Sequence, residues 1–217
     1  LKHFLIIGLG NFGMGVARTL YEEGNNITAV DMDKSRIQSV QKSSNEAILG
    51  DATDRKILEQ LGIENFDAAV VSTGEDQHAA ILITLFLKEF GCREIVVKAE
   101  DFDQARILDA VGADRVIFPE EEMARKLARS LSNPNFLDFI PLGQGFTVAE
   151  IAAPSQFYGR SIKELKLRQK HRVELIAIKD VLTGEFNFMP PPDFIFKDTD
   201  VLICIGKLDD LEEIKEK

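Results

Sequence analysis

The feature that most constrains this chain is the run Gly8-Leu9-Gly10-Asn11-Phe12-Gly13, set between two different hydrophobic patterns. Before it, His3–Ile7 is a short apolar run of strand type. After it, Phe12–Glu23 has helical spacing and stops before Gly24. A second strand-like run, Ile27–Asp31, then ends on an acid. GxGxxG alone says little. A strand, a glycine turn, a helix and a strand-end acid roughly 20 residues on make a dinucleotide-binding fingerprint. Each residue type has a physical task. Gly8 permits the tight turn, Gly10 lets a phosphate approach the backbone, and Gly13 lets the helix pack closely on the strand. The helix N-terminus offers unpaired N–H groups to phosphate oxygens. Asp31 accepts hydrogen bonds from ribose hydroxyls, with Met32 beside it at the strand end.

The alternation continues. Helical segments are expected at Asp33–Ser43, Asp54–Leu61, Asp76–Phe90 and Asp103–Val111, and strands at Ala47–Leu49, Ala68–Val71, Ile95–Ala99 and Val116–Phe118. Continuous apolar strands between amphipathic helices indicate a parallel sheet covered on both faces. Gly24, Gly62, Gly91 and Gly112 follow the helices, where a left-handed cap favours glycine. Asp33, Asp54, Asp76 and Asp103 stand at helix starts. A last helix, Glu121–Leu131, sets Met123, Leu127 and Leu131 on one face, and Ser132-Asn133-Pro134-Asn135 breaks it. The texture then changes. Strands are expected at Thr147–Ala152, Glu174–Lys179, Glu185–Met189 and Val201–Gly206, Pro190-Pro191-Pro192 cannot lie inside a sheet, and Leu208–Lys217 is a short acidic helix. The fold class is therefore α/β: a Rossmann-type doubly wound parallel sheet of six strands over residues 1–136, followed by a small α+β domain over 137–217.

Other strand ends point to the same rim. Asp51-Ala52-Thr53-Asp54 follows the third strand where an adenine would lie, and equally suits a capped helix start. Thr73-Gly74 ends the fourth strand beside the switch point of the sheet, or is a plain turn. Lys98 ends the fifth strand, towards the edge where phosphates would sit.

Charge and composition remove several classes. The formal net charge is −10, so nucleic acid is a poor partner. No apolar run reaches the ~20 residues of a membrane helix. Cys92 and Cys204 are isolated, which fits a reducing cytoplasm and no zinc site. His171 lies in a basic, loop-like stretch, Leu167–Arg172, and is expected to be exposed. No Ser/His/Asp or Cys/His set is visible, which favours binding over catalysis. An NAD(P)-dependent oxidoreductase or a redox sensor stays open as an alternative.

Gly8–Gly13, Val30-Asp31, Gly50–Asp54, Val97-Lys98-Ala99, Gly112-Ala113-Asp114 and Pro119-Glu120 follow one another as in RCK domains, the regulators of potassium conductance. Gly159–Leu165, Ala177-Ile178, Pro190–Pro192 and Asp198–Leu202 resemble the RCK C-terminal (TrkA-C) domain. The similarity covers essentially the whole chain, and such standalone chains resemble the cytosolic gating subunits of Trk/Ktr-type potassium uptake systems. The resemblance implies a non-enzymatic, homo-oligomeric ring of dimers. The ring would be cytoplasmic and peripheral to the inner face of the membrane, docked on an integral potassium-translocating subunit. It implies an adenine nucleotide ligand, ATP/ADP or NAD(H), with Lys98 at a phosphate-contacting position. Glu120 would be near the nucleotide at the dimer interface, where it helps hold a divalent cation or Na⁺; a helix N-terminal acid favoured by the dipole suits it equally. Cyclic di-AMP in the C-terminal domain is a further implication. Where relatives carry Arg after the second glycine, this chain has Asn11, uncharged and shorter.

Overall fold

The structure is a computed structural model that describes residues 1–74, 76–132 and 136–214. It divides into two compact units, Leu1–Glu122 and Met123–Lys217.

In the first unit, strands β1 (His3–Ile7), β2 (Asn26–Asp31), β3 (Glu46–Leu49), β4 (Ala68–Val71), β5 (Ile95–Lys98) and β6 (Arg115–Ile117) form one sheet. Its order is β3-β2-β1-β4-β5-β6, and every pairing is parallel. The intervening helices are α1 (Asn11–Glu22), α2 (Lys34–Val40), α3 (Arg55–Leu61), α4 (Gln77–Glu89) and α5 (Phe102–Val111). The strand alternation splits the core in two. Leu5 and Ile7 of β1 pack with Leu58, Phe66, Ile83, Leu87 and Leu108 on one face. Ile6 packs with Ala17, Ile27, Ile37 and Val40 on the other. Burying such side chains stabilises the sheet by about 1.5–3 kcal/mol each, so neither face is free to turn to solvent.

Local chemistry sets the element ends. The carboxylates of Asp33, Asp54 and Asp76 cap α2, α3 and α4 by accepting from Ser35, Lys56 and Ala79 N–H. Asp101 does this for α5, while Asp103 stands in its first turn. Gly62 closes α3 in the left-handed region at φ +64°. The sixth helix, α6 (Pro119–Ser132), opens on Pro119 with Glu120, Glu121 and Glu122 in its first turn, the residue types a helix N-terminus favours. The expected break after Ser132 falls on 133–135, outside the described residues.

The second unit is a five-stranded antiparallel sheet of order β10-β9-β11-β8-β7. Its strands are β7 (Phe136–Gly143), β8 (Phe146–Ala152), β9 (Glu174–Asp180), β10 (Phe186–Phe188) and β11 (Asp200–Lys207). Helices α7 (Ile162–Leu165), α8 (Leu167–His171) and α9 (Leu208–Glu212) complete it; the last residues of the expected terminal helix, 215–217, lie outside the described residues. Ala149, Ile151, Phe157, Leu165, Phe196, Leu202 and Leu211 make its core. The stretch read as a basic loop is α8, a single helical turn between two left-handed residues, Lys166 at φ +51° and Arg172 at φ +54°. His171 is half-buried rather than exposed.

Candidate functional site

The carboxyl ends of the parallel strands open on a cleft of about 670 Å³, beside the point where the order turns back between β1 and β4. In open α/β sheets this is where ligands bind. Gly8, Gly10, Asn11, Phe12, Asp31, Met32, Asp51, Ala52, Thr73, Gly74, Lys98 and Glu120 all line it. Leu9 and Gly13 do not line it and act from behind.

The glycines divide by role. Gly8 sits at φ +87°, and a Cβ there would come within 2.1 Å of the Ser72 carbonyl oxygen. Its N–H donates to the Val30 carbonyl at 2.9 Å, so β1 turns tightly against both neighbouring strands. A Cβ on Gly13 would come within 1.9 Å of the Gly8 carbonyl oxygen, which is how closely α1 approaches the turn. Gly10 is different: a Cβ there would meet nothing within 4 Å. It caps α1 without any side-chain hydrogen bond, and the first turn of that helix carries no acid. The first-turn N–H groups thus have no side chain competing for them, the condition for holding an anion.

Asp31 is buried, and both its oxygens are engaged. Oδ2 accepts from Leu9 N–H at 2.5 Å and Oδ1 from Asp33 N–H at 2.7 Å. The Arg36 guanidinium lies 3.5 Å from Asp31 Oδ2 and 3.7 Å from Asp33 Oδ2, and it lines the cleft. Hydrogen bonds to Ser35 hold the Asp33 carboxyl below the usual carboxylate range. Met32, largely exposed, and Ala52, buried, flank this end. Asp51 accepts from the N–H and hydroxyl of Thr53 at 2.9 and 2.7 Å, while the capping duty falls to Asp54.

At the other end Lys98 Nζ meets Glu120 Oε1 at 2.5 Å. The lysine side chain is 14% exposed and the glutamate 68%. The Lys98 hydrogen bond holds the Glu120 carboxyl below its ordinary value. The Thr73 hydroxyl donates to the Asp76 carbonyl at 3.1 Å, and Gly74 turns at φ +66°. Among the described residues, no group of three or more His, Cys, Asp or Glu is placed to hold a metal ion. Ser72, Asp76, His78, Leu82 and Ile83 also line the cleft and were not anticipated. The helical period of α4 gives its amphipathic stripe but not which turn overhangs the strand ends.

A smaller cleft of about 380 Å³ in the second unit is lined by Lys163, Lys166, Arg168, Pro190 and Pro192, among others. Nearby in sequence, Nδ1 of His171 is buried without a hydrogen-bond partner among the described residues.

The TrkA-N domain model matches residues 4–119 and the TrkA-C domain model residues 146–217. The Ktr system potassium uptake protein C of Bacillus subtilis (strain 168) is 35% identical over 216 residues, covering 100% of this chain and 97% of that protein. Among solved structures, the GsuK channel aligns at 25% identity and a TM-score of 0.57 over 98% of this chain. The chain spans 38% of that channel's length. A GsuK structure bound to ADP aligns at 26% identity and a TM-score of 0.51, over 60% of this chain and 34% of the other. No described helix is long and apolar enough to cross a membrane. With an open glycine turn at a six-stranded parallel sheet and both halves of the chain matched in order, this chain belongs to the family of TrkA-N/TrkA-C domain proteins.

Proposed function

We propose that this chain is a nucleotide-sensing, non-enzymatic regulatory subunit of a potassium uptake system. An adenine nucleotide in the first-unit cleft changes the shape of a homo-oligomeric ring and so gates potassium flux through a separate membrane subunit. The observation that carries this is the end-to-end match to a Ktr potassium uptake protein, joined to a cleft with an unobstructed glycine turn. The GsuK structure with ADP supports the ligand class. In this reading Gly8–Gly13 hold the phosphates, Asp31 and Met32 the ribose, Asp51 and Ala52 flank the adenine, and Thr73, Gly74, Lys98 and Glu120 meet the distal phosphate.

Only contacts that differ between two states can shift their populations. A diphosphate and a triphosphate differ in charge and reach at the Lys98–Glu120 end. A ring sums these differences over its subunits towards the ~5.5 kcal/mol that a near-complete switch requires. The stripe Met123, Leu127 and Leu131 on α6, largely exposed in the single chain, supports assembly. The ion path belongs to the partner, and the ring works at the inner face of the membrane through it. We place the boundary between the two functional domains near residue 136.

Finer parts belong to the same proposal. Glu120 is one carboxylate already paired with Lys98. It would hold a divalent cation or Na⁺ only together with oxygens of a bound phosphate. The second-unit cleft, with Lys163, Lys166 and Arg168, would take cyclic di-AMP.

The test is ion flux in liposomes that carry the membrane partner, with and without this protein and with ATP, ADP or NADH. Flux should change with the nucleotide supplied. Flux indifferent to every nucleotide would reduce the ligand to a permanently bound structural cofactor.

A further inference from the structure

His78 stands in the first turn of α4, is exposed, and lines the cleft. The other charged side chains of the cleft are committed. Asp31 accepts from two backbone N–H groups and faces Arg36, which also faces Asp33. Asp51 holds Thr53, Asp76 caps α4 through Ala79 N–H, and Lys98 is paired with Glu120. Both permanent cations of the cleft, Arg36 and Lys98, are thus neutralised by acids. A nucleoside di- or triphosphate brings several negative charges into this space. Among the described residues, His78 is the cleft side chain that can add positive charge and has no hydrogen-bond or ion-pair partner.

We infer that His78 is a proton-operated contact for the phosphates of the bound nucleotide, so that binding draws one proton into the cleft. The inference rests on the adenine-nucleotide reading above. An imidazole titrates near ~6.5, and an approaching polyanion favours its charged form. Asp76 from its own turn, Lys98 from β5 and Glu120 from α6 line the cleft with it. Asp31, Arg36 and Asp51 belong to the adenine end. Affinity for nucleotide should therefore rise as pH falls from 8 to 6, which would make potassium gating responsive to acidity as well as to nucleotide.

The experiment is calorimetric titration of the full-length protein with ADP and with ATP at pH 7.5, in buffers of different ionisation enthalpy, to count protons exchanged. Wild type should take up about half a proton or more beyond His78→Gln. This difference cancels titration of the nucleotide itself. His78→Lys, whose charge is permanent, should bind at pH 8 several-fold more tightly than wild type and without the extra uptake. Equal proton counts for wild type and His78→Gln would overturn the inference while leaving nucleotide binding intact. No binding by wild type would overturn the nucleotide reading itself, and this inference with it.

Discussion

The backbone N–H of Leu9 donates to the carboxylate of Asp31 across 2.5 Å, so the glycine turn and the acid at the end of β2 are one mechanical unit. A ribose bound by Asp31 would therefore bind to a group that also sets the position of the phosphate loop. Asp31→Ala should weaken adenine nucleotide binding by about 1–3 kcal/mol through lost charge-assisted bonds. It should also lower the melting temperature, because Leu9 and Asp33 lose a buried acceptor. Calorimetry alongside thermal unfolding of the free protein checks both. Unchanged affinity would remove Asp31 from the site.

The three glycines of the turn should separate in experiment. Gly8→Ala and Gly13→Ala each place a Cβ within about 2 Å of a backbone oxygen, so the strand or the helix must shift. Losses of roughly 1–3 kcal/mol or more in denaturant unfolding are expected. Gly10→Ala meets nothing within 4 Å and should unfold like wild type. Its methyl group would occupy space a phosphate needs, so nucleotide affinity should fall although the fold does not.

Discrimination between NAD(H) and NADP(H) should lie with Asp31 and Arg36. The acid repels a 2′-phosphate, while the guanidinium 3.5 Å away offsets part of that repulsion. NADP(H) should bind more weakly than NAD(H), and Arg36→Ala should widen the gap. A competition assay in which the variant prefers NADP(H) would contradict this assignment.

The Lys98–Glu120 pair makes a pH-dependent prediction with a definite sign. Glu120 titrates below its ordinary 4.5 because Lys98 hydrogen-bonds its charged form. A lowered acid contributes stability above its unfolded value and loses it as pH falls through the folded one. Unfolding curves collected from pH 7 down to pH 3 should show that contribution vanish below 4.5 in wild type and be absent in Glu120→Gln. Glu120 is mostly exposed, so the effect on stability is small. At neutral pH, without added cation, Glu120→Gln should tighten ADP binding by freeing Lys98, and Lys98→Gln should weaken it.

Much of the first unit was legible because several local signals coincided at each element. Asp33, Asp54 and Asp76 announce helix starts and do cap them, and Gly24, Gly62, Gly91 and Gly112 all take positive φ after their helices. The second unit was less legible. Strand β7, which the sequence pattern did not announce, contains Pro141 and Gly143, residue types that disfavour a strand interior. It survives because it is an edge strand whose register with β8 shifts at that point, where a missing N–H costs least. α8 is too short for a periodic signal. His78 lines the cleft from the first turn of α4, a placement set by how that helix packs, which residue spacing does not encode.

The contact between Gly8 and Ser72 carries a last consequence. A turn with no room for even a methyl group against the end of β4 is an anvil rather than a spring. When a ligand presses on it, the turn would hold, and the side chains left to shift would be Lys98 and Glu120, whose ion pair also lines the cleft. Signalling in this protein would then begin at the pair that can yield, and the glycine turn would serve as the fixed reference against which that movement is measured.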